Sequence, residues 1–122
     1  MHVCLDIDDT ITYAPDLFVV LVSALPDARI TVVTFRTDLE AARKTLQDYG
    51  IRYDDLILSN DPDRGRRPEQ SLSEWKAALV NQLAPDWFFE DMPEVVSLVQ
   101  PTIKVFMPCD EVIRDWLRDS VG

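Results

Sequence analysis

"VCLDIDDTIT", residues 3–12, sets three aspartates, Asp6, Asp8 and Asp9, directly after a short apolar run. Like charges crowded this closely repel one another. A strand end that collects them calls for a compensating cation or a catalytic use. The run itself, residues 1–7, reads as a buried strand.

Working outward, strands and helices alternate. Residues 15–25 carry Leu17, Val20, Leu21 and Ala24 at helical spacing, with Pro15 suited to a first turn. "ITVVTF" (30–35) is β-branched and continuous, which predicts a strand covered on both faces. Thr37 and Glu40 have capping-box spacing, Leu39, Ala42, Leu46 and Tyr49 form a stripe, and Gly50 ends that helix. "LIL" (56–58) is a third strand. Residues 59–70, "SNDPDRGRRPEQ", are a polar loop rich in breakers. Ser71 and Glu74 repeat the capping-box spacing ahead of a stripe of Leu72, Trp75, Leu79 and Leu83. "WFF" (87–89) and "IKVF" (103–106) are strands four and five, joined by a short helix. Val112, Ile113, Trp116 and Leu117 mark a C-terminal helix. The pattern predicts a single α/β domain over 1–122. It is a three-layer, Rossmann-like parallel sheet of five strands with helices on both faces.

Composition sets the outer bounds. The chain has 122 residues, the size of one compact domain, and is 47% hydrophobic and 28% charged. A net charge of −10 argues against broad binding to nucleic acid or an anionic membrane, while leaving room for a local basic patch. Cys4 and Cys109 form no CxxC pattern and read as thiols of a reducing compartment. No apolar stretch reaches the roughly 18–20 residues that span a bilayer, and Asp6 interrupts any leader-like core, so the expected location is cytoplasmic.

In open parallel sheets, ligands collect at the carboxyl ends of the strands. The first strand is followed by Asp6, Asp8 and Thr10, the second by Thr34 and Arg36, and the fourth by Glu90 and Asp91. The third leads into the loop bearing Arg64, Arg66 and Arg67, and Lys76 lies early in the next helix. Clustered carboxylate oxygens suit Mg²⁺. A lysine and a threonine hydroxyl suit a phosphate.

In this order and placement the residues resemble the haloacid dehalogenase superfamily of phosphohydrolases. Its first motif, DxDxT after an apolar strand, is matched by Asp6, Asp8 and Thr10. Its second, a hydroxyl residue ending a strand, is matched by Thr34. Its third, a lysine, is matched by Lys76, and its fourth, an acidic pair, by Glu90 and Asp91. The first member of that pair is Glu here, where Asp or Gly is usual. The resemblance implies an Mg²⁺-dependent phosphomonoesterase in which Asp6 attacks phosphorus and forms an aspartyl-phosphate. Asp6 and Asp91 would hold the metal by their side chains and Asp8 by its backbone carbonyl. The Asp8 carboxyl, two residues along an extended chain, would protonate the leaving oxygen and later activate water. Thr34 and Lys76 would hold the transferring phosphoryl group.

Residues 11–33 and 35–75 leave no room for a cap domain. Capless members of the superfamily have an open site and tend either to act on large substrates or to borrow cover from a neighbouring subunit in a homo-oligomer. The Thr34–Arg36 segment and the arginine loop also resemble, more loosely, the 3′-phosphatase domain of polynucleotide kinase, although Phe35 replaces the glycine of that family. The expected partner is therefore a phosphorylated substrate, either a small molecule or a nucleic acid end. Arg36, Arg64, Arg66 and Arg67 are the candidate substrate contacts. A catalytically idle metal-binding domain and a receiver-like phosphoacceptor domain are the alternatives. In a receiver the acceptor aspartate follows a middle strand of the sequence rather than the first.

Overall fold

The computed structural model describes residues 1–107, 114, 115 and 117–119. The first apolar run forms β1 (His2–Leu5). It is followed by α1 (Pro15–Ala24), β2 (Arg29–Thr34), α2 (Leu39–Tyr49), β3 (Asp55–Leu58), α3 (Leu72–Leu83), β4 (Trp87–Phe89), α4 (Pro93–Val96) and β5 (Lys104–Phe106). All five strands are parallel, in the order β3-β2-β1-β4-β5. β1 is central, with Leu5 level with Val32 on one side and Phe89 on the other. The chain moves outward through β2 and β3, then crosses back to β4, so the switch point of the topology lies beside β1. That is where an open α/β sheet presents a ligand crevice. Among the described residues there is no cap domain.

Alternation along each strand divides the core between two faces. Val3, Leu5, Ile30 and Val32 pack under α1 and α2 with Phe18, Ala42 and Leu46. Cys4, Phe88 and Ile103 pack under α3 and α4 with Ala77, Val80 and Val95, and Val33 and Ile57 meet Trp75 and Leu79. The Cys4 thiol is buried and its pKa is pushed up to about 12 by desolvation.

Three local expectations are corrected. On α1 the buried side chains are Phe18 and Val22, while Leu17 and Val20 of the expected stripe are 51% and 66% exposed. The helix is apolar nearly all round, so spacing alone does not select its inner face. The N-cap of α2 is Asp38 rather than Thr37, its carboxylate accepting from Ala41 N at 3.1 Å. Of that helix's stripe only Ala42 and Leu46 are buried. Ser71 and Glu74 do form the reciprocal capping box of α3, and Gly50 ends α2 in the left-handed region at φ 74°. Cys109 and the C-terminal stripe of Val112, Ile113 and Trp116 lie outside the described residues; Leu117 is helical and exposed. No helix among the described residues is long and apolar enough to cross a membrane.

Candidate active site at the sheet switch point

β1 delivers Asp6 to the carboxyl edge, where its N–H donates to Phe89 O at 3.1 Å and prolongs the pairing with β4 by one residue. The chain then leaves the sheet. Residues Ile7–Ile11 form one wide turn closed by Thr12 N–H to Ile7 O at 3.1 Å. Asp9 occupies the left-handed region at φ 60°, which aspartate tolerates better than most residues. This turn folds Thr10 back beneath Asp6 and sends the Asp8 side chain outward.

Asp6 is 5% exposed. Its Oδ2 accepts from the Thr10 hydroxyl at 2.9 Å and its Oδ1 from Lys76 Nζ at 2.5 Å. Lys76, 1% exposed, also meets Glu90 Oε1 at 2.8 Å as an ion pair outside hydrogen-bond geometry, and lies 4.7 Å from the centre of the Phe35 ring. Glu90 Oε2 accepts from the N–H groups of Asp91 and Met92 at 3.1 and 3.2 Å. Asp91, half-buried, is linked to the cluster through its Oδ1, 3.5 Å from the Thr10 hydroxyl.

Two carboxylates thus meet one ammonium, with a third, Asp91, close to both of them. Burial raises the Asp6 carboxyl to about 6 although Lys76 pulls the other way, and desolvation likewise raises Glu90 and Asp91. Burial would lower the Lys76 ammonium, but the Asp6 and Glu90 carboxylates reverse that and hold it above its ordinary value. Oxygens of Asp6, Glu90 and Asp91 lie within 4.8 Å of one another, so the group could hold a metal ion. An all-oxygen, negatively charged donor set of this kind fits a hard divalent cation. The Asp8 carboxylate is not part of this group.

Instead Asp8 is gripped by Arg36. Arg36 Nε and Nη2 donate to Asp8 Oδ2 and Oδ1 at 3.0 and 2.7 Å, and Nη1 donates to Thr45 Oγ1 of α2 at 2.9 Å. The bidentate bond to Arg36 holds the Asp8 carboxyl below its ordinary value. Thr34, fully buried at the end of β2, accepts from Arg36 N at 3.2 Å. Asp6, Thr34, Lys76, Glu90 and Asp91 therefore line the carboxyl edge, with Asp8 and Arg36 as a pair beside them.

The arginine loop is built differently. Arg64 pairs with Asp55 at 2.6 Å and Asp61 at 3.2 Å, and its carbonyl accepts from Trp75 Nε1 at 2.8 Å. Arg66 Nη1 donates to the carbonyls of Arg67 and Gln70 at 3.3 and 2.8 Å. Gly65 is required by close approach: a Cβ there would stand 2.5 Å from Asp61 O and 2.8 Å from Ser59 O. The Arg67 N–H donates to Gln70 Oε1, while its side chain lines a cleft of about 410 Å³ with Trp75 and Gln82 and has no hydrogen bond or ion pair among the described residues.

Sequence reasoning missed the Thr10 link, the Glu90 partnership with Lys76 and both arginine–aspartate pairings. Thr10 had a signal, being the last position of DxDxT. The pairings had none, since they depend on side-chain direction.

No protein-family model and no curated protein matches this sequence. Solved structures share the fold, among them the following two. A chain of the Pnkp1/Rnl/Hen1 complex superposes with a TM-score of 0.65 at 15% identity, covering 87% of this chain and 45% of its own. A chain of the Pnkp1/Rnl/Hen1 RNA repair complex gives 0.61 at 18% identity, covering 87% and 41%. This chain thus spans less than half the length of either.

Proposed function

We propose that this protein is a phosphomonoester hydrolase of the capless haloacid dehalogenase type, dependent on Mg²⁺ and working through an aspartyl-phosphate at Asp6. The carrying observation is the setting of Asp6. It is a buried carboxylate at the switch point, fixed by Thr10 and Lys76, within an acidic group whose charge the lysine only partly offsets. A structural ion pair would balance its charges.

Asp6 and Asp91, with the Asp8 backbone carbonyl, would hold the ion. Bound Mg²⁺ supplies the neutralisation that lets a carboxylate approach a phosphate. In the first half, a carboxylate oxygen of Asp6 bonds to phosphorus as the ester P–O bond breaks, and Asp8 gives a proton to the departing oxygen. In the second, water attacks phosphorus, its proton passes to Asp8, and inorganic phosphate leaves with the Asp6 carboxylate restored. Lys76 and Thr34 would steady the phosphoryl oxygens.

The fold likeness to chains of an RNA repair assembly supports nucleotides or polynucleotide ends as the substrate class. Arg36 and Arg67 are the arginines best placed in chemistry to recognise it, whereas Arg64 and Arg66 fasten their loop. Purified protein should release phosphate from p-nitrophenyl phosphate and from 3′- or 5′-phosphorylated oligonucleotides only with Mg²⁺. Asp6→Asn should lower turnover by about 10⁴-fold or more while remaining folded. Retained activity in that variant would rule out the covalent route.

A further inference from the structure

The Asp8–Arg36 pair poses a geometric problem for the reading just given, on which this inference rests. Both oxygens of Asp8 are occupied by Arg36. In that state both oxygens are turned to the guanidinium, and the carboxyl is tied to Arg36 rather than free to follow a leaving oxygen. The guanidinium, by contrast, is anchored from behind: Nη1 is held by Thr45, whose hydroxyl in turn donates to Ala41 O at 3.0 Å on α2. Its other edge, Nε and Nη2, is the one that faces Asp8. The Asp8 side chain is 53% exposed and that of Arg36 25%. The carboxylate side of the pair is open to water, so a second anion can reach and compete for the same edge of the guanidinium. A phosphate or carboxylate accepts from the same two-pronged edge.

We propose that Arg36 is a specificity-determining exchange site, at which a second anionic group on the substrate replaces Asp8 and thereby frees Asp8 for proton transfer. Substrates carrying an anion besides the scissile phosphate then gain in kcat and not only in KM. Simple monoesters leave the pair closed and react slowly. Nothing else in the arrangement has to move: Thr45 keeps the guanidinium in place, and the backbone N–H of Arg36 stays on Thr34.

Thymidine 3′-phosphate and thymidine 3′,5′-bisphosphate test this, with release read separately at each position. In the wild type, kcat should be at least about tenfold higher for the bisphosphate. Arg36→Gln should bring the ratio near one, and Arg36→Lys, which keeps charge without the fork, should recover little of it. Equal kcat for both substrates in the wild type, or a ratio unchanged in Arg36→Gln, overturns the exchange. A second arm needs no turnover. In the Asp6→Asn protein, the Arg36 Nε–H resonance should shift on adding the bisphosphate and stay near its starting position with the monophosphate. The same response to both sinks the proposal even if the glutamine variant does not fold. Failure of the phosphatase reading itself looks different, with neither substrate hydrolysed by the wild type in Mg²⁺.

Discussion

Lys76 and Arg64 each meet two carboxylates, yet the two clusters are opposite in kind. Lys76 is 1% exposed and its partners Asp6 and Glu90 are buried with it, next to a third carboxylate, Asp91. The Arg64 side chain is 40% exposed, and its partners Asp55 and Asp61 lie at the rim of the sheet and in the loop it fastens. Taking charge out of water costs several kcal/mol per ion, and an excess of one sign leaves that cost unrecovered. Around Arg64 the solvent and local backbone bonds handle the charge. Around Lys76 they do not, and a cation bound as proposed would make up the shortfall.

The largest expected effect on stability lies in the buried cluster. Lys76→Met should lose about 3–5 kcal/mol in urea denaturation at neutral pH, because Asp6 and Glu90 are left without a counter-charge. A loss below about 1 kcal/mol would erase the contrast with Arg64.

The pH dependence comes next. Asp6 titrates at about 6 in the fold against an ordinary 3.8. The folded state therefore keeps a proton that the unfolded chain has released. Stability from this group is fully present below about pH 3.8 and is lost as pH rises through 6, a change of about 3 kcal/mol. The raised Glu90 and Asp91 carboxyls act in the same direction. Asp8, lowered by Arg36, acts in the opposite one, but that pair is solvent-screened. Denaturation with chelator present should accordingly give a less stable protein at pH 7.5 than at pH 5, and Asp6→Asn should flatten the slope.

Saturating Mg²⁺ should reverse this trend, since its ligands must be ionised. At 100 times its dissociation constant the ion adds about 2.7 kcal/mol. Asp91→Asn should remove most of the rise in melting temperature. Glu90→Gln should lower the starting stability while retaining more of the rise, because its carboxylate is already committed to Lys76 and two backbone N–H groups. An equal loss of the rise in both variants would make Glu90 a ligand in its own right. The smallest effect is expected at Arg64→Gln, within about 1 kcal/mol in stability and with kcat on p-nitrophenyl phosphate unchanged.

The sheet was legible because its strands are continuous apolar runs, and the helices between them have stripes or caps of definite spacing. α1 shows where this stops: in "PDLFVVLVSA" nearly every position is apolar, so Phe18 and Leu17 are equivalent until packing chooses between them. The motif residues were legible for a topological reason, each standing just past a strand whose end faces the same edge. Their pairings were not. That Arg36 turns to Asp8, and Arg64 to Asp55, follows from the turn at Ile7–Ile11 and from the fold of the loop around Gly65. Neither turn is encoded in a periodicity.

The central place of β1 also orders events in time. It is made first, but its neighbour β4 comes more than eighty residues later, and the bonds Lys76–Asp6 and Thr10–Asp91 span 70 and 81 residues. Closing such long loops precedes any reward from the contacts they bring together, which slows the steps that depend on them. A nascent chain that has emerged only as far as α2 holds all the aspartates of the first turn and no site. If the acidic group binds a divalent ion as proposed, that affinity should arise only as β4 docks, making ion binding a clock for a late stage of folding rather than a seed for the first.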